Sequence, residues 1–470
     1  MLSSSGEDYV RGDVEPGLSA VQHGGMRQTR TVPSRRARRA GLPCLATACL
    51  LGLAPAAFGQ SAVPSPESAP PGPVPGTPAE KPYAPPANFG EWASSIKLNF
   101  QGQGGITVNT LSPNSNRNFG RLMDDLSNRP VLNQLLATVS REFDPKATNV
   151  DVGFKLQLMY GSDARIIHTL GVFDQLIHNR YQLDVVEANV SARIPQLFAG
   201  GLDIKAGIYP TPLGVEMIDP KNNPFYSHSY IFNYGLPFKH TGALATAHVS
   251  DNVDLYLGLD TGVNTLLAYG AGDNNNRPGG IAGVGLNLLG GKLTVLALTH
   301  IGPENSKRNT PFANSALRYL NDVAVVWKAT DKLTLTAEGN YIKDDGFKAE
   351  AWGVAGYASY ALNDSLTLNG RAEIYRDSNN FFVFTPVAER DFVAAERGTF
   401  ARLITASKPT TYSELTLGVT YKIPGLSEKV STALFRPEIR YDRALNNSRP
   451  FGDGNDRGVF TLAADLVLGF

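Results

Sequence analysis

Cysteine is almost missing from this chain: Cys44 and Cys49 are the two among 470 residues. Both fall in an N-terminal segment expected to be removed. Disulfide scaffolds, thiolate metal sites and cysteine nucleophiles therefore disappear together. Histidine is scarce too. The six beyond residue 59 (His168, His178, His228, His240, His248, His300) sit in no nucleophile motif, so no catalytic residue, metal site or cofactor is expected. Net charge is zero, with 43 basic against 43 acidic residues. Without residues 1–59 the balance is 36 to 39, which offers nothing to nucleic acid or an anionic surface. Beyond residue 94 no apolar run reaches 18 residues, which excludes a bundle of membrane-spanning helices.

What is present begins with an export pattern. Arg35-Arg36-Ala37-Arg38-Arg39 precedes an apolar run from Leu42 to Phe58 and the small-residue site Ala57-Phe58-Gly59. A basic segment, a short apolar segment and small residues at the cut make a cleaved signal peptide over 1–59. The run contains Pro43 and Pro55 and is shorter than the roughly 20 residues a spanning anchor needs. Glu7, Asp8, Asp13 and Glu15 are foreign to a signal, so translation is expected to start at Met26. Leu45 to Cys49 hints at a lipoprotein site, but more apolar chain follows Cys49. Ala62 to Pro86 holds ten prolines and cannot bury a core, so 60–92 reads as an extended periplasmic linker.

The remainder, 93–470, alternates with period two. In the last eleven residues Phe460, Leu462, Ala464, Leu466, Leu468 and Phe470 fall on one face, and the other is small or polar apart from Val467. Such a terminal strand ending on Phe resembles the closing strand of Gram-negative outer-membrane barrels, which implies recognition by the barrel assembly machinery. Upstream, tight polar turns at Ser250-Asp251-Asn252, Gly290-Gly291-Lys292, Thr330-Asp331-Lys332 and Asn363-Asp364-Ser365 each lead into an alternating strand. Their spacing of about 33–40 residues fits two strands and one loop. Loops at the other hairpin ends (Gly270–Gly280, Gly302–Ser315, Asp377–Pro409, Arg443–Arg457) are longer and rich in Asn, Gly, Asp and Pro. Short turns on one side and long loops on the other point to an all-β, antiparallel transmembrane β-barrel with periplasmic turns and extracellular loops.

Lipid forces closure, because an exposed sheet edge has no water to satisfy its N–H and C=O groups. The first strand, Ile96 to Val108, is expected to pair with the last. Counting 164–173 as a strand gives about 16; 14 or 18 are the alternatives. Trp92, Trp327, Trp352, Tyr357, Tyr360 and Tyr421 suit the interfacial girdle. Pro437 implies a bulge or an early strand end.

Inward positions carry charge: Glu187 and Arg193; Asp203 and Lys205; Arg371 and Glu373; Arg436, Glu438, Arg440 and Asp442. A dry core would need many partners to hold them. A water-filled lumen resolves that cost and is the expected arrangement; a packed, salt-bridged lumen or an inserted plug are the alternatives.

Tyr209 to Lys239, dense in aromatics and proline, reads as an ordered third external loop. Gly207-Ile208-Tyr209, Thr211-Pro212-Leu213-Gly214-Val215-Glu216, Tyr226-Ser227-His228-Ser229-Tyr230 and Pro237-Phe238-Lys239-His240-Thr241-Gly242 resemble the OmpL-like β-barrel porin family; Tyr160 to Ala164 is similar to a second signature. The resemblance implies an outer-membrane diffusion channel for small hydrophilic solutes or ions. By analogy with porins, the third loop narrows the pore. Glu216, Asp219 and Lys221 then lie near the constriction, opposite Arg371, Arg436 and Arg440, and create a transverse field. Arg193, Lys205, Glu373 and Glu438 complete the expected pore lining. The partners implied are outer-membrane lipid and, as in many porins, two further copies in a homotrimer. Two other functions stay open: a barrel enzyme of lipase or protease type, for which Ser227-His228-Ser229 is the one invitation, and a structural or adhesion barrel.

Overall fold

The computed structural model describes residues 88–470 apart from 177–178, 267–271, 309–314 and 428. The expected signal peptide, both cysteines, most of the Pro-rich linker and His178 lie outside the described residues. A short helix α1 (Phe89–Ser94), capped by the Asn88 side chain on Glu91 N–H, precedes the first strand. Trp92 sits on it, donating to Val152 O at 3.1 Å, with the Arg141 guanidinium 5.3 Å from its ring centre.

Sixteen strands close a barrel. They are β1 (Lys97–Asn109), β2 (Pro130–Arg141), β3 (Asp151–Gly161), β4 (Gln182–Ile194), β5 (Leu202–Pro210), β6 (Lys239–Ser250), β7 (Val253–Val263), β8 (Gly279–Leu288) and β9 (Leu293–Gly302). β10 (Arg318–Lys328), β11 (Leu333–Asp344), β12 (Ala349–Asn363), β13 (Leu366–Asp377), β16 (Thr410–Lys422), β17 (Thr432–Ala444) and β18 (Gly458–Gly469) complete it. The small hairpin β14 (Phe384–Pro386) with β15 (Leu403–Thr405) and the helix α2 (Asp391–Glu396) belong to the loop between β13 and β16. Neighbours in sequence pair antiparallel, and β1 meets β18 from Gln101↔Gly469 to Asn109↔Thr461. Phe470 exchanges two backbone hydrogen bonds with Phe100, at 2.8 and 3.1 Å. No backbone edge is left for lipid to meet.

The outer face carries the predicted stripes. Leu255, Leu257 and Leu259 are 48%, 67% and 70% exposed, whereas Asp254, Tyr256 and Asp260 on the same strand point inward and are buried. Trp327, Trp352, Tyr360 and Tyr421 are exposed on the outer wall. Tyr357 is not: it points inward and is buried, because its parity on β12 matches that of Ala355 and Gly353 rather than Trp352. The larger hydrophobic cluster of buried residues lies on the inner side, built from loop aromatics such as Phe119, Tyr230, Phe232 and Phe238 against Tyr375 and Tyr412 of the wall. The covering of the outer face is bilayer; on the inner face the folded-in loops cover the part of the wall they pack against.

The strand count holds, but one member is different. Residues 164–173 form no strand, although Leu170 makes an isolated bridge to Thr265. Ala164, Ile166, Ile167 and Leu170 are all buried within the second external loop, 162–181, so consecutive side chains share one environment and no alternation exists. The missing strand is β2. It begins on Pro130 and carries an extra residue at Asn133, opposite the register shift at Gln103/Gly104 of β1. Asn133 and Gln134 are both buried, and the apolar Leu136 also faces in. This bulge breaks the period-two signal. Pro437 neither bulges nor ends β17. The β16 ladder skips Arg436 and Pro437 while the register on both sides is preserved, and Pro437 stays opposite Ala464 of β18.

Candidate functional site

The third external loop, L3 (211–238), connects β5 to β6 and folds into the barrel. It pairs with no strand, so its backbone groups must find partners elsewhere. Inward carboxylates of the wall supply acceptors. Glu338 on β11 accepts from Val215 N–H at 3.0 Å. Glu373 on β13 accepts from Tyr230 and Ile231 N–H at 2.7 and 2.8 Å. Glu438 on β17 accepts from Tyr226 and Ser227 N–H at 2.9 and 3.2 Å. Wall arginines supply donors. Arg371 donates to Ser227 O at 2.9 Å, Arg440 to His228 O at 2.6 Å, and Arg436 to Pro220 O and Asn223 O, each at 2.6 Å. Charge-assisted bonds of this kind are stronger than neutral ones. L3 is seated as if on an extra ladder made of side chains.

The charges themselves are paired. Arg371 lies between Glu216 of L3, at 2.7 Å, and Glu414 of β16, at 3.0 Å. Arg440 bonds Asp442 at 2.7 Å, and Arg436 forms a two-pronged pair with Asp465 of β18. Arg121, from the first external loop L1 (110–129), joins Asp442 at 2.8 Å and Asp124 at 2.6 Å. Burial alone would raise the Glu216 carboxyl, but Arg371, the His228 ring at 2.7 Å and the Ser229 N–H outweigh it and hold it at about 2.

Aromatic packing fixes the same segment. Tyr230 stacks on Tyr412, Tyr375 and Tyr234 with ring centres 5.0, 6.1 and 6.3 Å apart, and its hydroxyl donates to Asp442 at 3.1 Å. Tyr226 donates to Asn133 Oδ1 at 3.0 Å. It rests on Gly105 of β1, where a Cβ would stand 2.6 Å from its ring; only glycine admits so close an approach. A π-helical turn, Ile231–Gly235, brings the loop back toward β6. From outside, Phe392 of α2 faces Phe238, and Tyr234 donates to Phe384 O at 2.7 Å. Above these, Asp125 of L1 is ringed by Arg117, Arg165 at 2.7 Å and Arg180 at 2.8 Å, with Glu389 bonded to the same arginines. Three loops are thereby tied over L3.

The structure brings six expected site residues together: Glu216, Arg371, Glu373, Arg436, Glu438 and Arg440. They meet differently from expectation. A transverse field needs loop acids and wall arginines held apart, yet Glu216 of L3 is in direct contact with Arg371, while Arg436 and Arg440 pair with the wall acids Asp465 and Asp442, and all are buried. Asp219 accepts from Gln101 at 2.7 Å and pairs with Lys221 at 2.9 Å, and the Lys221 side chain is 41% exposed. Arg193 bonds Asp203 at 2.8 Å on the β4–β5 wall, away from L3, and Lys205 is half-buried on β5. Glu338, Glu414 and Asp465 escaped the sequence reading, although each stands at an inward position beside an outward apolar residue. Ser227-His228-Ser229 is part of the anchor: Arg371 donates to Ser227 Oγ at 3.1 Å, and the His228 ring stacks on Phe232 at 4.1 Å. Among the described residues, His240, Asp260 and His300 bring potential metal-ligating atoms within 4.8 Å of one another.

Residues 96–470 match the family described as "Putative beta-barrel porin-2, OmpL-like". The chain belongs to that family. It is an outer-membrane porin channel of 16 strands. No curated protein matches it. Similar solved structures include the outer-membrane channel DcaP of Acinetobacter baumannii, at 13% identity over 80% of this chain and 97% of that one, TM-score 0.49. OmpF of Salmonella typhi gives 10% identity over 80% and 97%, TM-score 0.48. The anion-selective porin of Comamonas acidovorans gives 10% identity over 80% and 99%, TM-score 0.47.

Proposed function

We propose that this porin passes small hydrophilic solutes and ions by passive diffusion, along the side of the lumen that L3 leaves uncovered. The observation carrying this reading is the one-sided seat of L3. Its wall partners come from β11, β12, β13, β16, β17, β1 and β2. On the opposite arc, inward polar side chains keep partial access to water: Lys155 at 23%, Asp203 at 22% and Arg193 at 11%, with Lys205 half-buried beside them. Of the L3 charges, Lys221 and Asp219 keep the most access to water, at 41% and 20%. Mixed charge along an aqueous wall sets ion preference without a binding site.

Planar-bilayer recording of the refolded barrel should show stepwise conductance, and reversal potential in a salt gradient should report its selectivity. Lys205→Glu is expected to move that potential toward cations; an electrically silent barrel ends the proposal. The same reading takes residues 1–59 as a cleaved export signal and the terminal strand as the contact for the assembly machinery. It takes the native channel as a homotrimer, supported by the apolar recess on the outer wall lined by Phe100, Leu132, Leu135, Leu466, Leu468 and Phe470. Native mass measurement in detergent tests the trimer.

A further inference from the structure

The extracellular ends of β6, β7 and β9 carry His240, Asp260 and His300, all buried. Asp260 stands between the two rings. His240 Nδ1 lies 2.9 Å from its Oδ2, and His300 Nε2 lies 3.0 and 3.1 Å from its two oxygens. Yet His240 Nδ1 has no hydrogen-bond partner, so proximity without alignment describes the pair. His300 Nε2, by contrast, is hydrogen-bonded to the carboxylate, so Asp260 is offered to both rings and the three donor atoms converge within 4.8 Å.

The groups behind the rings are arranged to match. His240 turns its other nitrogen, Nε2, to Thr211 Oγ1 at 3.1 Å. His300 turns Nδ1 toward Glu304 Oε1 at 3.8 Å, and both of those atoms lack hydrogen-bond partners. Glu304 is itself held through Oε2 by Val263 N–H at 2.8 Å, and Asp260 Oδ1 by Gly262 N–H at 2.9 Å. Metal-bound histidines ordinarily have their second nitrogen fixed by an oxygen acceptor; Thr211 fills that place for His240, and the Glu304 carboxylate faces the His300 nitrogen without bonding it. Room is provided as well. Between β7 and β9 the inward position on β8 is Gly279, whose missing Cβ would stand 2.7 Å from both Asp260 Oδ1 and His300 Nε2. Four neighbouring strands thus contribute three donors and one vacancy in side-chain volume at the same height.

We propose that His240, Asp260 and His300 coordinate one divalent transition-metal ion of borderline softness, Zn²⁺ being the probe of choice. Two imidazoles and a carboxylate favour Zn²⁺, Ni²⁺ or Co²⁺ over Mg²⁺ or Ca²⁺. Three protein ligands leave a fourth position for water. The ion would clip the return stem of L3, through His240, to the two hairpins beside it.

The test uses the full mature barrel, refolded in detergent, stripped with chelator and dialysed against micromolar Zn²⁺. Elemental analysis is expected to give one zinc per chain, and Co²⁺ in its place to give a visible d–d band. His300→Gln and Gly279→Ala should each abolish both signals, the second by filling the space while leaving every donor in place. Glu304→Gln should keep the stoichiometry and weaken binding by roughly 10–100-fold. Heat-modifiable migration on gels shows which variants have folded. Folded wild type that takes up no zinc, or zinc that survives both His300→Gln and Gly279→Ala, overturns the proposal.

Discussion

Arg371 has no exposed side-chain surface, and its guanidinium reaches Glu216, Glu414 and Ser227 together. A buried pair of this kind adds little over an apolar replacement of both partners, but removal of one partner strands the other. Arg371→Met removes the guanidinium that joins Glu216 to Glu414 and leaves Glu414 only the more distant Arg440, at 3.8 Å, and should cost about 3–5 kcal/mol in denaturant unfolding. Arg371→Lys should recover only part, since an ammonium cannot serve two carboxylates and a carbonyl in one plane. Asp125 gives the pH counterpart. Burial would raise its carboxyl, but Arg165, Arg180 and Arg117 hold it down at about 2, below its ordinary 3.8. A depressed carboxylate stabilises the fold above the unfolded value and loses that contribution as pH falls toward the folded one. The cover of L1, the second external loop (162–181) and the β13–β16 loop should therefore weaken by about 2 kcal/mol between roughly pH 4 and 2. The difference between unfolding midpoints at pH 5 and pH 2.5 should be smaller in Asp125→Asn than in wild type.

At the scale of elements, L3 depends on the backbone of β1 as much as on charge. Gly105→Ala would drive a methyl into the Tyr226 ring, and Ala464 O and Asp465 Cβ at 2.9 Å close the other sides. The barrel should still form, with noisier and larger conductance steps, and adding Tyr226→Ala should return part of the lost stability. Such coupling is read from a double-mutant cycle. The elements legible in the sequence were those facing lipid on one side. The Leu255/Leu257/Leu259 stripe exists because bilayer and lumen impose opposite demands on alternate residues. β2 was invisible because Asn133 and Gln134 both face inward and Leu136 packs beneath the loops. The decoy at Ile166-Ile167 was apolar for burial inside the protein. The seat of L3 left inward charges in view but not their partners, since its bonds to β11, β13 and β17 join residues 123 to 216 apart.

For the whole molecule the usual order is reversed, with apolar side chains exposed outward and charge enclosed. Closure rests on Phe470, whose N–H and C=O both pair with Phe100. Deletion of Phe470 should slow appearance of the compact, heat-modifiable species and leave more of the chain protease-sensitive. The footing of L3 also has a chronology. The loop lies in the first half of the chain, while Glu338, Arg371, Glu373, Glu438 and Arg440 belong to the second. Contacts between such distant residues form slowly, because the intervening chain must be gathered first. Until β11 to β18 have arrived, Glu216 lacks Arg371, and the N–H groups of Val215, Tyr226, Ser227, Tyr230 and Ile231 lack their wall carboxylates. The nascent cylinder must therefore be born wet and wide, and the passage acquires its working bore only when the late strands catch the early loop.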